Sequence, residues 1–475
     1  MRVSHALVGV SAVFDDPNLV SCAGLAPVLA LAQRCGLAEL VGGKLTLTAK
    51  GGVNAPVKVP ALVAGMVAGA DSVADMDLLR HGGMDRLFGG VRAPSTLGTF
   101  LRSFTFGHVR QLDSVAAELL GELARRSPVL AGADQVGYVD IDDTVKATYG
   151  YAKQGAGYGY SGVKGLNALI ATLSTPLAAP VIVASRLRKG SANSARGAAR
   201  LVTDALHTAR AAGAGGPDGT GLVLLRADSA YYNHDVVAAA GRAGARFSLT
   251  ARASPAISTA IASIDPAAWT AIHYPNAVFD QDEQRLISDA EIAEVPFTAF
   301  TSRRKCDHIT ARLIVRRVKR LNPTSTTTKT TKASADDGEQ GELFTLYRYH
   351  SVFTDSPLSL VQAEKTHRAH AIIEQVHADL RSGPLAHLPS GSFAANSAWL
   401  VLAAMAFNLT RAAGCLASSF HARATTGTIR AQLINVPTRL ARSARKQVLH
   451  LPQHWPWQQA WNQLFQATLG PPQPA

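Results

Sequence analysis

The stretch VGYVDIDDTVKATYG at residues 136–150 begins the part of the chain whose pattern decides the fold. Successive side chains of a β-strand point to opposite faces, so Asp140 and Asp142 share one face of this stretch. Asp143 lies on the same face of the strand as the apolar Ile141, which argues against Asp143 as the key acid. Acids within a strand are uncommon, because a charge there needs a partner. Two interpretations stay open: a strand that faces solvent, or a strand that carries a metal ligand.

The segments that follow extend this strand into an alternating pattern of strands and helices. Period-two or continuous apolar stretches predict strands, and apolar spacing of three to four predicts helices. The predicted strands are GLNALIATLS at 165–174, APVIVASRLRKG at 179–190, GLVLLRAD at 221–228 and ARFSLTAR at 245–252, with helices at 191–213 and 234–244. Three strands, helix, strand, helix and strand predict an α/β fold with a mixed sheet and flanking helices.

The rest of the chain divides by composition and periodicity. Residues 1–130 read as a helical N-terminal region, because apolar residues recur there at helical spacing. The sheet pattern of 131–252 is interrupted at 253–345, where two strand-like stretches flank a polar low-complexity segment, 322–342, that we expect to be disordered. A helical pattern resumes in 346–415, and an arginine-rich tail occupies 416–475.

Bulk composition narrows the class of protein. The chain has 475 residues with 47% hydrophobic and 17% charged residues, which excludes general disorder and allows several folding units. Its net charge of +13 favours polyanionic partners, nucleic acid above all. The four cysteines are scattered and form no CxxC pair, so a structural zinc site is not expected. We find no signal peptide and no span long enough for a bilayer, and therefore expect a cytoplasmic protein with no membrane partner.

Two further acids complete a candidate site. Asp228 ends the apolar strand at 221–228, and the carboxyl ends of strands are where α/β proteins place ligand chemistry. Glu374 lies on the helix predicted after the interruption, between an apolar side and a polar stripe. Alone, Asp228 is equally well a turn residue, and Glu374 is equally well part of a solvated helix face.

Together, the acids predict a metal site. Two or three carboxylates can hold two divalent cations about 4 Å apart, and their hard oxygen atoms suit Mg²⁺ or Mn²⁺. Such a pair of ions promotes in-line displacement at a phosphodiester. The order of Asp142 on the first strand, Asp228 on the fourth and Glu374 on a late helix is a more specific signal than any single acid.

This order resembles the ribonuclease-H-like catalytic core of DDE transposases, over about residues 131–415. DIDDT is similar to the first motif of the family, an Asp two places before a Thr, and selects Asp142. RADSAYYN at 226–233 is similar to the second motif and places Asp228 as the second acid. The resemblance implies catalytic and metal-binding roles for Asp142, Asp228 and Glu374, with two Mg²⁺ or Mn²⁺ ions.

The third motif of the related insertion-sequence group has Tyr, Arg, Glu and Lys at fixed spacing. Laid on this helix, the motif aligns with His367, His370, Glu374 and Arg381, so the Glu matches and Arg381 keeps the charge of the Lys. The segment 253–345 resembles the β-rich insertion of some transposases. The C-terminal sequence resembles that of the IS-thirteen-eighty family in particular. That resemblance implies binding to terminal inverted repeats and target DNA, strand transfer by freed 3′-hydroxyls, and a dimer or higher multimer on DNA.

Basic residues outside the acids are candidates for contact with double-stranded DNA. Arginine and lysine neutralise phosphates and so give affinity without sequence choice. The residues that we select are Arg381 on the late helix, Arg316, Arg317, Lys319 and Arg320 in the insertion, and Arg439 and Arg442 in the tail.

Alternatives to a transposase remain open at this point. A related nuclease would use the same acids without joining DNA, and a transposase derivative would bind DNA without catalysis. A third alternative is a histidine-rich metal site formed by His367, His370, Glu374 and His377. Asp140 is the reserve for the first acid, followed by Asp143.

Overall fold

The computed structural model describes residues 11–149, 153–159, 162–280, 285–319, 347–443 and 446–470. The polar segment 322–342 and Arg320 lie outside the described residues, so the expectation of disorder there stays a prediction.

The N-terminal part of the chain is helical, as its apolar periodicity predicts. A short strand, β1 (Leu19–Val20), precedes six helices: α1 (Leu25–Arg34), α2 (Leu37–Lys44), α3 (Ala55–Ala68), α4 (Met84–Leu87), α5 (Pro94–Arg102) and α6 (Phe106–Arg126). The longest of them, α6, begins at a reciprocal cap in which the Thr105 hydroxyl and the His108 ring each bind the other residue's backbone amide. Its apolar face, which includes Leu112 and Leu119, is buried.

The central sheet is mixed, with parallel and antiparallel strands, as the sequence predicts. Its first strands and helices are β2 (Val136–Ala147), β3 (Gly157–Tyr158), β4 (Lys164–Ser174), β5 (Val181–Lys189), α7 (Ala198–Ala211), β6 (Leu222–Ala227), α8 (His234–Arg242) and β7 (Arg246–Thr250). Across the sheet the order is β5, β4, β2, β6, β7, with β4 antiparallel to both neighbours. The β2, β6 and β7 strands run parallel. This order is compatible with a ribonuclease-H-like core.

The interrupting segment extends the same sheet. It contributes α9 (Pro255–Ala262), β8 (Thr270–Asp280), β9 (Arg285–Ala299) and β10 (Ile309–Lys319), which are followed by β11 (Tyr347–Thr354). Because β11 pairs antiparallel with β7, the strand order continues as β7, β11, β10, β9, β8. The strands predicted on either side of the polar segment are therefore present, and they are joined edge to edge with the central strands.

The predicted helix at 363–383 is broken. It consists of α10 (Leu360–Arg368), a 3₁₀ turn at Ala369–Ala371, and α11 (Ile372–Arg381). The His370 Nδ1 atom donates a hydrogen bond to the His367 carbonyl, 2.7 Å away, which a continuous α-helix would pair with the amide four residues on. The break places Glu374 in the first turn of a new helix.

The most apolar helix, α12 (Phe393–Ala417), lies in the core of the described structure. By length and composition it could cross a membrane, but 89% of its apolar window is buried against the rest of the chain. Its Asn408 side chain pairs with both backbone polar groups of Ile182 in β5, at 2.7 and 2.8 Å. The helix is thus fixed to the back of the sheet.

The C-terminal segment returns to the N-terminal strand. It contains α13 (Thr426–Ile429), β12 (Thr438–Ser443), β13 (Lys446–His450) and α14 (Gln458–Leu469). A small sheet of β1, β12 and β13 joins the two ends of the described chain.

Candidate active site

Strand β2 carries three aspartates, and two of them are neutralised by buried arginines. Asp140 is 1% exposed and receives two hydrogen bonds of 2.7 Å from the Arg226 guanidinium. Burial raises the pKa of Asp140, and the charge of Arg226 opposes that rise. Asp143 is also buried and binds Arg188 and the amide of Asn167. Since a charge inside a protein is tolerated only when paired, both are structural acids.

Asp142 differs from its two neighbours. Its side chain is 31% exposed, and no described arginine or lysine lies within ion-pair distance of its carboxylate. One oxygen lies 3.3 Å from Nε2 of His377, which is itself buried. The oxygen Oδ1 accepts the backbone amide of Asp143 at 2.7 Å. Among the acids of β2, Asp142 is therefore the one left with a carboxylate that can bind a ligand.

Asp228 stands where β6 ends, beside β2. Its carboxylate accepts the Ala230 amide at 2.9 Å, which fixes the turn that follows the strand. Desolvation raises the pKa of Asp228, and the carboxylates of Asp142 and Asp143 raise it further, whereas the Ala230 amide and His370 oppose the rise. The side chain is nonetheless exposed. The first two predicted acids are therefore on adjacent parallel strands and interact electrostatically.

Glu374 is exposed on α11, which packs against β2. It forms no hydrogen bond or ion pair with any described residue. Within the helix it lies three positions before His377, the residue that contacts Asp142, so both share a helix face. Just before α11, His370 acts electrostatically on Asp228. Glu374 thus stands between two residues that interact with the aspartates.

The three acids are not gathered into a metal-binding cluster. In the part of the chain that the structure describes, no group of three or more His, Cys, Asp and Glu side chains is arranged to hold a metal ion. The donor chemistry nevertheless suits a hard divalent cation, because two carboxylates repel each other and neither has an arginine or lysine partner among the described residues.

The histidine alternative does not agree with the contacts of His367. This side chain is buried, and its two ring nitrogens lie 3.0 Å from the hydroxyls of Ser248 and Thr250 on β7. Burial lowers the pKa of His367 to about 3, and the charges of His370 and Arg226 act in the same direction. With both nitrogens engaged, the ring attaches α10 to the sheet and is not available as a ligand.

The predicted DNA-contacting arginines of the insertion have acidic partners within the protein. Arg317 binds Glu291 at 2.7 Å, and its guanidinium lies 4.0 Å from the ring centre of Trp269 and 4.4 Å from that of Tyr347. Arg316 lies 3.8 Å from the Glu364 carboxylate. Lys319 is exposed at the end of β10.

The remaining predicted contacts are more accessible. Arg381 and Arg442 are exposed, and Arg439 is 61% exposed beside Asp16. Arg381 also acts on Lys146 of β2: burial lowers the pKa of Lys146, and the charge of Arg381 lowers it further. Arg381 and Lys146 are therefore close enough to interact electrostatically, and they lie, respectively, on the same helix as Glu374 and the same strand as Asp142.

Sequence reasoning missed several residues around the acids. Lys146 lies four positions after Asp142, where a basic residue had no distinctive pattern. Tyr231 is fully buried, its hydroxyl has no hydrogen-bond partner among the described protein atoms, and burial together with Asp143 and Asp142 raises its pKa. Arg226 did have a signal, because a charged residue within an apolar strand requires a buried partner.

Comparison with known proteins gives one family match. The family model described as "Transposase DDE domain group 1" matches residues 8–469. A search of curated proteins finds no match.

Proposed function

Because the chain belongs to the family of group 1 transposase DDE domains, we propose that it cleaves DNA at the ends of an insertion sequence and joins those ends to target DNA. Asp142, Asp228 and Glu374 are the proposed catalytic, metal-binding acids. The observation that supports this assignment is the contrast along β2: Asp140 and Asp143 are bound by buried arginines, whereas Asp142 has no arginine or lysine partner among the described residues.

Two divalent cations, Mg²⁺ or Mn²⁺, would supply activation of the attacking water or 3′-hydroxyl and stabilisation of the leaving oxygen. Asp142 and Asp228 would hold these ions from neighbouring strands. The rigid sheet keeps these two carboxylates in place, since Asp140 and Asp143 fix the β2 strand on both sides of Asp142.

Glu374 has to approach the two aspartates for the site to be complete. The 3₁₀ turn at Ala369–Ala371 separates α11 from the firmly attached α10, and it is the proposed hinge for that approach. Glu374 has no protein partner to give up among the described residues. Binding of metal and DNA would therefore draw it in without breaking an ion pair.

DNA would lie across the exposed side of the acids. Arg381, on the same helix as Glu374, and Lys146, on the same strand as Asp142, are suited to bind a phosphate, and Arg442 is a further exposed cation. Arg316, Arg317 and Arg439 would contribute less to DNA binding, because each already has an acidic partner. The proposal includes the resemblance to the IS-thirteen-eighty family and terminal inverted repeats as the bound DNA sequence. It also includes assembly of a multimer on paired DNA ends in the bacterial nucleoid.

The test uses DNA that carries the sequences flanking the gene of this chain, with and without pre-cut ends. The wild type should cleave in Mg²⁺ and join pre-cut 3′-hydroxyl ends to a plasmid. Asp142→Ala, Asp228→Ala and Glu374→Gln should each lower both rates by about 10³-fold or more, because these side chains act as one unit. End binding, measured by gel shift, should stay largely intact.

Three results would contradict the proposal. Near-normal turnover in any of the three variants would remove that residue from the site. Cleavage by the wild type without joining of pre-cut ends would support the nuclease alternative, and end binding without either reaction would support the non-catalytic derivative.

A further inference from the structure

One buried arginine links the two strands that carry the proposed aspartates to α10, the helix that precedes the one carrying Glu374. Arg226 is 2% exposed and lies on β6, two residues before Asp228. Its Nε and Nη2 atoms donate to the two oxygens of Asp140, on β2 and two residues before Asp142. Its third nitrogen, Nη1, donates to the backbone carbonyl of Thr366 in α10, 2.7 Å away.

The register of the sheet makes this contact possible. Asp140 and Arg226 are direct partners in the parallel pairing of β2 with β6. Since side chains two apart in a strand share a face, the pair lies on the same face as Asp142 and Asp228, one step along the strands. The ring of Tyr138 lies 4.3 Å from the guanidinium and covers it.

The Thr366 carbonyl is the third acceptor because of its place in α10. The last four carbonyls of a helix have no partner within the helix, and Thr366 is two residues before the end of α10 at Arg368. A positively charged guanidinium at the C-terminal end of a helix also interacts favourably with the helix dipole. The next residues form the 3₁₀ turn, and then α11 begins with Glu374 in its first turn.

From these contacts we propose that Arg226, held by Asp140, is a positioning residue that ties α10 to β2 and β6 and thereby sets the start of α11 relative to Asp142 and Asp228. The inference rests on the proposed function, because it concerns the geometry of the proposed acids. Neither Arg226 nor Asp140 contacts metal or DNA in this account. Binding Asp140 and the Thr366 carbonyl at the same time requires a planar group with donors on three sides. Arginine has such a group, and lysine lacks it.

Only the double variant Asp140→Leu/Arg226→Met tests the link cleanly. Removing one partner would leave an unpaired charge, whereas replacing both with apolar residues is often neutral for stability. Hydrogen exchange without metal should show at least tenfold faster exchange in residues 369–381, with the protection of β2 and β6 changed less than threefold. The Mg²⁺ concentration for half-maximal cleavage should rise at least tenfold, because Mg²⁺ demands near-octahedral ligand geometry.

The matched control is Arg186→Met/Asp204→Leu, which removes an ion pair of 2.9 Å between β5 and α7. Asp204 also binds Arg110 and Arg200, and Arg110 keeps Asp113 as its carboxylate partner. This control should leave both exchange in 369–381 and the Mg²⁺ requirement at the wild-type level. If the double variant at the site does not fold, Arg226→Lys replaces it, since lysine keeps the charge beside Asp140 and loses the fork. Arg226→Lys should then show the same direction of change in both readouts, at least threefold.

Unchanged exchange in 369–381 would overturn the inference, as would an equal rise of the Mg²⁺ requirement in the control. The exchange readout needs no activity. If the wild type proves inactive while exchange responds as expected, the proposed function is lost and the tie between α10 and the strands is retained.

Discussion

The two halves of the ten-stranded sheet pair their charged side chains in opposite ways. On β2, two aspartates are paired with buried arginines, Arg226 of the adjacent β6 and Arg188 of β5, and among the aspartates of β2 Asp142 alone has no arginine or lysine partner. On β10, in the other half, arginines are paired with glutamates of β9: Arg312 binds Glu294 at 2.5 Å, and Arg317 binds Glu291. Pairing in the first half isolates one functional acid. In the second half it withdraws positive charge from the surface that the sequence offers to DNA.

The largest expected effect on stability separates the adjacent acids Asp142 and Asp143. Asp143→Ala should lower the free energy of unfolding by about 3–5 kcal/mol, because it leaves the buried Arg188 charge without its carboxylate. Asp142→Ala should lower it by less than about 1 kcal/mol, since that side chain is partly exposed and has no cationic partner. Urea unfolding without divalent metal measures both. Equal losses in the two variants would contradict the distinction between a structural and a functional acid.

A smaller effect concerns the insertion. Arg317→Ala should lower the free energy of unfolding by about 1–2 kcal/mol, because Glu291, Trp269 and Tyr347 lose their shared partner. The dependence of DNA affinity on salt should hardly change. Arg442→Ala, at an exposed position, should do the opposite: unchanged stability, and a salt slope reduced by about 1. Fluorescence anisotropy across a salt series checks both variants, and a reduced slope in Arg317→Ala alone would reverse the assignment.

The smallest effect is a pH dependence at Asp228. Its pKa is raised in the folded state, so the folded state holds its proton to higher pH, and stability falls as pH rises from the ordinary aspartate value through the raised one. Without metal, Asp228→Asn should therefore raise the free energy of unfolding at pH 7, by less than about 1 kcal/mol because the group is exposed. The gain should disappear below about pH 4. A loss of stability at pH 7 would show that Asp228 is held by an attractive contact.

The sequence predicts the succession of central strands and helices and selects the candidate acids from local pattern, while the catalytic role of those acids stays a prediction. The apolar strand that ends at Asp228 and the parity of Asp142 could be read from neighbouring residues alone. The break at Ala369–Ala371 could not be, since it depends on a side-chain bond from His370 to one carbonyl. Burial of His367 was missed for a related reason: its partners, on β7, are more than a hundred residues away.

The insertion shows the same limit. The two strands that flank its polar segment, β10 and β11, were predicted from their residues, but the junction with β7 depends on pairing between distant segments. Likewise, Arg317 reads as a free cation in a basic stretch, and only the fold brings Glu291 and Trp269 to it. Domain boundaries at 130, 252, 345 and 415 stay predictions.

The central claim is that one metal site is shared by Asp142, Asp228 and Glu374. Iron-directed cleavage of the protein backbone, run with and without bound DNA, tests it without any catalytic turnover, because Fe²⁺ in a Mg²⁺ site reduces added hydrogen peroxide to hydroxyl radicals that cut the nearby chain. The account predicts cuts around residues 142, 228 and 374, all suppressed by excess Mg²⁺ and all lost in Asp142→Ala. Cuts around 142 and 228 with none near 374, also when DNA is bound, would contradict it.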